Sequence, residues 1–325
     1  MPLTDEQFAD WVADRVNDVV VRLHETVSTP NTFVEEVARY LPKAGGKMYR
    51  PALVMAVGGL GFDAGQVDVD ALVDAAVVVE LTHVASLYHD DVMDEAQVRR
   101  GQPTVNVNWC NSVAILAGDF MLAQASLVGA KLGVDFMAYQ ALTLSRLVQG
   151  QIAESRRPDP GVDPIDHHLG VLAGKTGALI AASARYGAVF AGLSPDQIDA
   201  LTLYGERLGM AFQLADDLMD ILSQESGKNL GTDLREGVPT LTTLLVQRAR
   251  RPEDARLLDL LSGPVVVEDL PEALALLKAH PALVEARSEV RRWADSAETC
   301  LAPFPDSPAT RVLHTLCEQA VSRTA

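Results

Sequence analysis

Apolar residues recur at three- and four-residue intervals along almost the whole chain, the spacing of one face of a helix. The first run is Phe8, Trp11, Val12, Val16, Val19, Val20 and Leu23, opened by Thr4-Asp5-Glu6-Gln7 in the form of a capping box. A turn at Ser28-Thr29-Pro30-Asn31 precedes a second helix from about Thr32. Next comes Ala44-Gly45-Gly46-Lys47-Met48-Tyr49-Arg50-Pro51, a glycine-hinged loop presenting two cations just before a helix. The pattern then predicts helices over about 51–60, 69–95, 110–132, 135–157, 163–192, 195–222, 238–250, 253–262, 268–280, 283–302 and 307–322. Strand alternation is convincing nowhere; Val265-Val266-Val267, after Gly263-Pro264, is too short to seed a sheet. With no solenoid repeat, low-complexity tract or long linker, the expectation is one all-α domain over 1–325, its helices packed around a central cavity.

Composition narrows the classes. A hydrophobic content of 48% over 325 residues excludes general disorder and allows a sizeable core. A net charge of −17 argues against nucleic acid or an anionic membrane as partner. Cys110, Cys300 and Cys317 are odd in number and widely spaced, which suits a reduced cytosol and neither a disulfide framework nor a thiolate zinc site. The acidic start, Met1-Pro2-Leu3-Thr4-Asp5-Glu6, does not read as a signal peptide. The longest apolar stretches, Ala71–Tyr88 and Ala178–Leu193, are broken by Asp74, Glu80 and Arg185 and read as buried helices, not membrane spans. A soluble, cytoplasmic protein is expected.

Against this background two acidic clusters stand out. Asp90, Asp91 and Asp94 end the helix of about 69–95, on which Glu80, His83, Leu87, Asp90 and Asp94 share a face. Asp216, Asp217 and Asp220 repeat the spacing after Phe212-Gln213-Leu214-Ala215, with Gly227 as a plausible stop. Carboxylates so crowded repel, and near a helix C-terminus the macrodipole also favours a cation. An all-oxygen donor set points to a hard ion, and magnesium completed by phosphate and water fits best. A solvated helix end would explain one cluster; two matched clusters suggest carboxylate walls that metals bridge to a diphosphate. Basic groups accompany them: Arg99-Arg100-Gly101, Gly174-Lys175-Thr176-Gly177 and Lys228. Each alone could be an ordinary surface cation, but together they read as phosphate ligands.

In order and spacing these motifs resemble the trans-isoprenyl diphosphate synthases, the polyprenyl synthetase family, over nearly the whole length. They are Gly45-Gly46-Lys47-x-x-Arg50-Pro51, His83, Asp90-Asp91-x-x-Asp94, Arg99-Arg100-Gly101, Lys175-Thr176, Phe212-Gln213-x-x-Asp216-Asp217-x-x-Asp220 and Gly227-Lys228-x-x-Gly231-x-Asp233-Leu234. The resemblance implies the all-α isoprenoid synthase fold, a homodimer, and three Mg2+ ions per active site. It implies that Asp90, Asp94 and Asp216 hold the metals, with Asp91, Asp217 and Asp220 supporting them directly or through water. Arg99, Lys175 and Lys228 would bind an allylic diphosphate, and Lys47, Arg50, His83 and Arg100 the diphosphate of isopentenyl diphosphate. Thr176 and Gln213 would line the reaction centre. The implied reaction is head-to-tail condensation of the two substrates with release of diphosphate.

One departure from the family pattern is Glu236-Gly237-Val238-Pro239-Thr240-Leu241, where Val238 replaces a common lysine and puts affinity for the allylic diphosphate in doubt. Small residues bear on product length. Ser86 stands one turn before Asp90 on nearly the same face. Helix geometry turns Ala85 further away, but the resemblance marks that position, since short-chain members carry a bulky aromatic there. Small residues recur at Ala123, Ala125 and Ser126, although Phe120 or Met121 could still form the floor. The expected product is therefore a medium- or long-chain all-trans polyprenyl diphosphate. The alternatives are a geranylgeranyl or farnesyl diphosphate synthase, a terpene cyclase, whose second metal motif would mix Asn, Ser/Thr and Glu, and a non-catalytic partner subunit, which would tend to lose the aspartates.

Overall fold

A computed structural model describes residues 3–65, 67–222 and 230–324, and helix dominates them. The chain begins with α1 (Asp5–Thr26), α2 (Thr32–Lys43), α3 (Tyr49–Gly58) and α4 (Val69–Met93), followed by a hairpin of β1 (Val98–Arg99) and β2 (Gln102–Pro103). It continues through α5 (Val105–Asn108), α6 (Asn111–Gly129), α7 (Val134–Glu154), α8 (Pro164–Leu172), α9 (Ala178–Phe190) and α10 (Pro195–Leu222). Shorter elements follow: α11 (Thr232–Glu236), α12 (Leu241–Ala249), α13 (Ala255–Leu260) and α14 (Leu270–Ala279), then the longer α15 (Pro281–Thr299) and α16 (Pro308–Ser322). The all-α expectation holds. Two compact units divide the chain, one of Met1–Ser145, Ala181–Thr202 and Phe304–Val312, the other of Arg146–Ile180, Leu203–Pro303 and Leu313–Ala325.

In the first unit α4 is the axis, packed by α1, α3 and α6. It is apolar nearly all round, as a central helix must be. Leu72, Val77, Val78, Leu81 and Val84 are all buried, each contributing about 1.5–3 kcal/mol by leaving water. By length and composition α4 and α6 could each cross a bilayer, but α4 is largely buried inside its unit. The predicted starts of α1 and α2 are borne out: Thr4 and Gln7 complete the capping box, and the Asn31 side chain accepts from Val34 N. Tyr88 then ties α2 to α4, its hydroxyl donating to Val37 O at 2.8 Å and accepting from Leu41 N at 3.1 Å. That tether fixes the Gly45–Met48 loop where it leaves α2.

The second unit has its own core. Leu172 of α8, Met210, Leu214 and Leu218 of α10, and Leu241 and Leu245 of α12 meet Leu257, Leu277, Leu283 and Val290 from the C-terminal helices. Those helices, which carry no recognisable chemistry in the sequence, are thus the support on which the end of α10 rests.

Three predictions of local structure need correction. The segment 98–103 is a two-stranded hairpin whose turn is Arg100-Gly101, both at positive φ (53° and 76°), the backbone of a tight primed turn. Its strands are two residues long, too short for alternation to register. The single helix expected over 163–192 is interrupted by a π-helical turn at Ala173–Gly177. There the backbone packs against Gly150 of α7, where an added Cβ would lie 2.6 Å from Lys175 N. The helix expected from 238 starts at Leu241, because Pro239 lacks an amide proton and Thr240 caps the helix. The stop assigned to Gly227 lies outside the described residues.

Replacing Tyr88 with Phe removes the hydroxyl that bonds to Val37 O and Leu41 N and so links α4 to α2. The unfolding free energy is expected to fall by about 1–2 kcal/mol, read as a lower urea midpoint at unchanged slope. An unchanged midpoint would show that the tether contributes nothing.

Candidate active site

In the first unit the C-terminal turn of α4 sorts its three carboxylates. Asp94 is the C-cap and exposed, and Asp90 is half-buried. Asp91 turns inward, 2% exposed, and accepts from Arg99 Nε at 2.5 Å. Burial pushes the Asp91 carboxyl up, and the charge and hydrogen bond of Arg99 pull it back. Asp91 therefore fixes the plane of the Arg99 guanidinium.

Arg100, next along the hairpin, sits in the left-handed region, a conformation costing of order 1 kcal/mol for a residue with a side chain. Its Nη1 donates to Leu41 O at 3.2 Å and to Gly45 O. Gly46 packs flat on the guanidinium; a Cβ there would lie 3.0 Å from Nη2. Arg50 lies in the first turn of α3, not in the loop before it, and Lys47 is exposed on the loop. His83 faces this basic group from α4. Burial holds its imidazole well below 6.5, and Arg50, Arg100 and Arg99 lower it further, so it is neutral at pH 7 and can offer a hydrogen bond but no charge. Ser86 Oγ donates to His83 O at 2.8 Å, and Ala85 is fully buried.

In the second unit the last turns of α10 carry the other cluster. Thr176 Oγ1 donates to Gln213 Oε1 at 2.9 Å, and Gln213 Nε2 donates to Asp217 Oδ1 at 3.0 Å. One relay thus joins the π-helical turn to the aspartates. Asp220 Oδ2 accepts from Asp233 N at 3.1 Å. Asp216 is exposed and pairs with Arg323 Nη2 at 2.9 Å, while the Arg323 guanidinium lies 5.0 Å from the Phe212 ring centre. Lys175 Nζ meets Glu154 Oε2 at 2.6 Å. Val238 supplies a backbone contact only, its N donating to Asp233 O at 2.8 Å. Lys228 lies outside the described residues.

This second cluster holds more negative charge than its neighbours neutralise. Burial, then Asp233, Asp216 and Asp220, push Asp217 up to about 8 against the Gln213 hydrogen bond. Burial and then Asp220 push Asp233 up to about 7. His168 Nε2 lies 3.8 Å from Asp217 Oδ2, beyond hydrogen-bond reach, and burial takes its pKa down to about 4, so it brings no cation. Among the described residues, no three His, Cys, Asp or Glu side chains converge as a closed metal cage requires. Two carboxylates opening onto solvent suit a hard cation that takes its remaining oxygens from a phosphate ligand and water.

Sequence reasoning missed Glu154 and Arg323, because their partners lie 21 and 107 residues away and no spacing rule links them. It also gave Glu80 no role beyond its face of the helix.

The all-helical fold and paired aspartate clusters define a class. Residues 31–277 match the model of the polyprenyl synthetase family, and the chain belongs to that family. It is 43% identical over 311 residues to a nonaprenyl diphosphate synthase of Mycobacterium tuberculosis, covering 94% of this chain and 92% of that one. Among solved structures it resembles a decaprenyl diphosphate synthase from Rhodobacter capsulatus (TM-score 0.88, 31% identity, 99% and 100% covered). It also resembles a geranylgeranyl pyrophosphate synthase from Corynebacterium glutamicum complexed with calcium and isoprenyl diphosphate (TM-score 0.87, 39% identity, 98% and 97% covered).

The acidic cluster makes metal-free stability depend on pH. Asp217 and Asp233 hold protons more tightly folded than unfolded, where a carboxyl titrates near about 4. The stability this gives is present below about 4 and is lost as pH rises through about 7 and 8. Without divalent metal, the melting temperature is expected to fall from about pH 5.5 to about 8.5, and Asp217→Asn to flatten the decline. A flat profile in the unsubstituted chain would show the carboxylates already screened.

Proposed function

We propose that the chain is a magnesium-dependent trans-prenyltransferase that condenses isopentenyl diphosphate with an allylic diphosphate into a medium- or long-chain all-trans polyprenyl diphosphate. The observation that carries this is a carboxylate cluster at each of two helix C-termini with a cation in the same unit: Asp90, Asp91 and Asp94 with Arg99 paired to Asp91, and Asp216, Asp217 and Asp220 with Lys175, which is paired to Glu154 and whose neighbour Thr176 is linked through Gln213 to Asp217. Family membership and the nonaprenyl and decaprenyl relatives support the reaction and the product class. Both clusters serve the same reaction, and the chain acts as one catalytic domain in the cytoplasm.

Metal would be held by Asp90, Asp94 and Asp216, with Asp91, Asp217 and Asp220 behind them, at three Mg2+ per active site. Calcium in related complexes supports a divalent site. When bound, Mg2+ supplies neutralisation of the charge that collects on the departing diphosphate.

The protein's own side chains do the rest. Arg99, its Nε committed to Asp91, directs its terminal nitrogens to the allylic diphosphate. Lys175 exchanges Glu154 for a more highly charged diphosphate, and Lys228 joins it. Lys47, Arg50 and Arg100 hold the diphosphate of isopentenyl diphosphate, to which His83 donates a neutral hydrogen bond. Carbon–oxygen cleavage leaves an allylic cation. Thr176 Oγ1 donates its hydrogen bond to Gln213 Oε1 and so turns its lone pairs to that cation. The cation adds to the isopentenyl double bond, and the proton then lost goes to the departed diphosphate.

The deciding assay supplies purified protein with Mg2+, isopentenyl diphosphate and, in turn, dimethylallyl, geranyl, farnesyl or geranylgeranyl diphosphate, with products sized by mass spectrometry. A ladder extending beyond geranylgeranyl is expected, and Ala85→Phe should shorten it. A stop at geranylgeranyl would favour the reading suggested by the Corynebacterium relative. Pyrophosphate released from the allylic substrate alone would indicate a cyclase, and no condensation with any starter would overturn the proposal.

A homodimer is the assembly proposed. Within the first unit, α6 and the start of α7 leave Leu116 (65%), Leu127 (63%), Val134 and Leu142 exposed, an apolar surface that a second copy would cover. Light scattering after gel filtration should give twice the chain mass, and Leu116→Glu with Leu127→Glu should give the monomer. A monomeric unsubstituted protein would refute this assembly.

A further inference from the structure

The proposed reaction makes no use of Arg323, which follows α16 and meets the second carboxylate cluster. Its place is built from the apolar pattern of the last helix. Leu313, Cys317 and Ala320 of α16 are buried and share one face, and Thr324, past the end of the helix, continues that face and is 3% exposed. The Tyr204 hydroxyl donates to Leu313 O at 2.8 Å and so ties α10 to α16. Arg323 N donates to Gln319 O at 3.2 Å and Thr324 N to Val321 O at 3.1 Å, which carries the turn beyond Ser322.

This anchored turn brings the Arg323 guanidinium to α10 at two points. Its Nη2 donates to Asp216 Oδ1 at 2.9 Å. Its centre lies 5.0 Å from the ring of Phe212, one turn earlier on the same face and within cation–π range. Asp216 is the exposed carboxylate of its cluster and the one assigned to metal. A divalent ion about 2 Å from Oδ1 would stand within about 5 Å of Nη2, and one on Oδ2 would still share a single negative charge with it. Two cations so close repel, and the arginine is the one with another seat, on the Phe212 ring.

We propose that Arg323 is the protein's own counterion for Asp216: it neutralises that carboxylate before a divalent metal binds, and the metal must displace it. Arg323 is a positioning residue, since it acts on the reaction only through Asp216. The inference rests on the reading that Asp216 is a metal ligand. The pair is half-exposed, so water screens it and the exchange is small in energy. By linkage, whatever the pair adds to the stability of the metal-free fold it subtracts from metal affinity.

The test is Mn2+ binding to the full chain without diphosphate, followed by calorimetry and by the rise in melting temperature. It compares the unsubstituted chain with Arg323→Gln, Asp216→Asn and the double variant. Arg323→Gln should lower the Mn2+ dissociation constant about two- to fivefold, the size of an exposed ion pair. It should also lower the metal-free melting temperature, a difference that vanishes at saturating Mn2+. Asp216→Asn should weaken binding, and in that background Arg323→Gln should change nothing further. If Asp216→Asn weakens binding but Arg323→Gln leaves it unchanged or weaker, the counterion role is wrong and the metal reading stands. An equal gain from Arg323→Gln with and without Asp216 would be a general effect of charge and would also overturn the proposal. If Mn2+ is not taken up, or is taken up regardless of Asp216, the metal reading fails and the proposal falls with it.

Discussion

Charge held inside an apolar scaffold is the constraint to which the rest of the structure answers. α4 is buried for most of its length, yet it ends in three carboxylates, and α10 ends the same way. Each cluster lies at the end of a helix where the macrodipole already disfavours negative charge. Burial raises Asp217 and Asp233, and the repulsion stored in such an arrangement raises them further. A purely structural protein would gain by replacing these residues. An enzyme that must gather cations and then diphosphates can use the stored repulsion as affinity.

Each unit manages its charges locally. Arg99 is paired with Asp91, Lys175 with Glu154, and Asp216 with Arg323. These pairs hold the side chains in place without tying them down permanently. The half-exposed and exposed ones can exchange partners at small cost, because solvent screens what they lose. Arg50 is different, since its Nε is buried with no hydrogen-bond partner among the described residues.

Close backbone approach sets the remaining geometry. Gly150 and Gly174 let α7 touch the π-helical turn that carries Lys175 and Thr176. Gly46 lets the Arg100 guanidinium lie on the loop, and Gly101 completes the turn that aims it. At these positions a side chain would move a functional cation, so glycine serves the site as directly as the charged residues do.

The helical class, most helix positions and the two aspartate clusters were legible in the sequence, because they follow from periodicity and short spacing. The first starts are examples: Thr4-Asp5-Glu6-Gln7 and Asn31 encode their caps within four residues. Tertiary structure alone decided what depends on partners distant along the chain. It turned Asp91 toward Arg99 while Asp94 stayed exposed, gave Lys175 its counterion in Glu154, and broke the helix expected over 163–192 at a π-helical turn. It also brought Glu80 of α4 and Arg100 of the hairpin to the lining of one cavity. A helix announces which face is apolar, since that depends on its own repeat. It does not announce which charge will lie opposite, because that is fixed by how the elements pack.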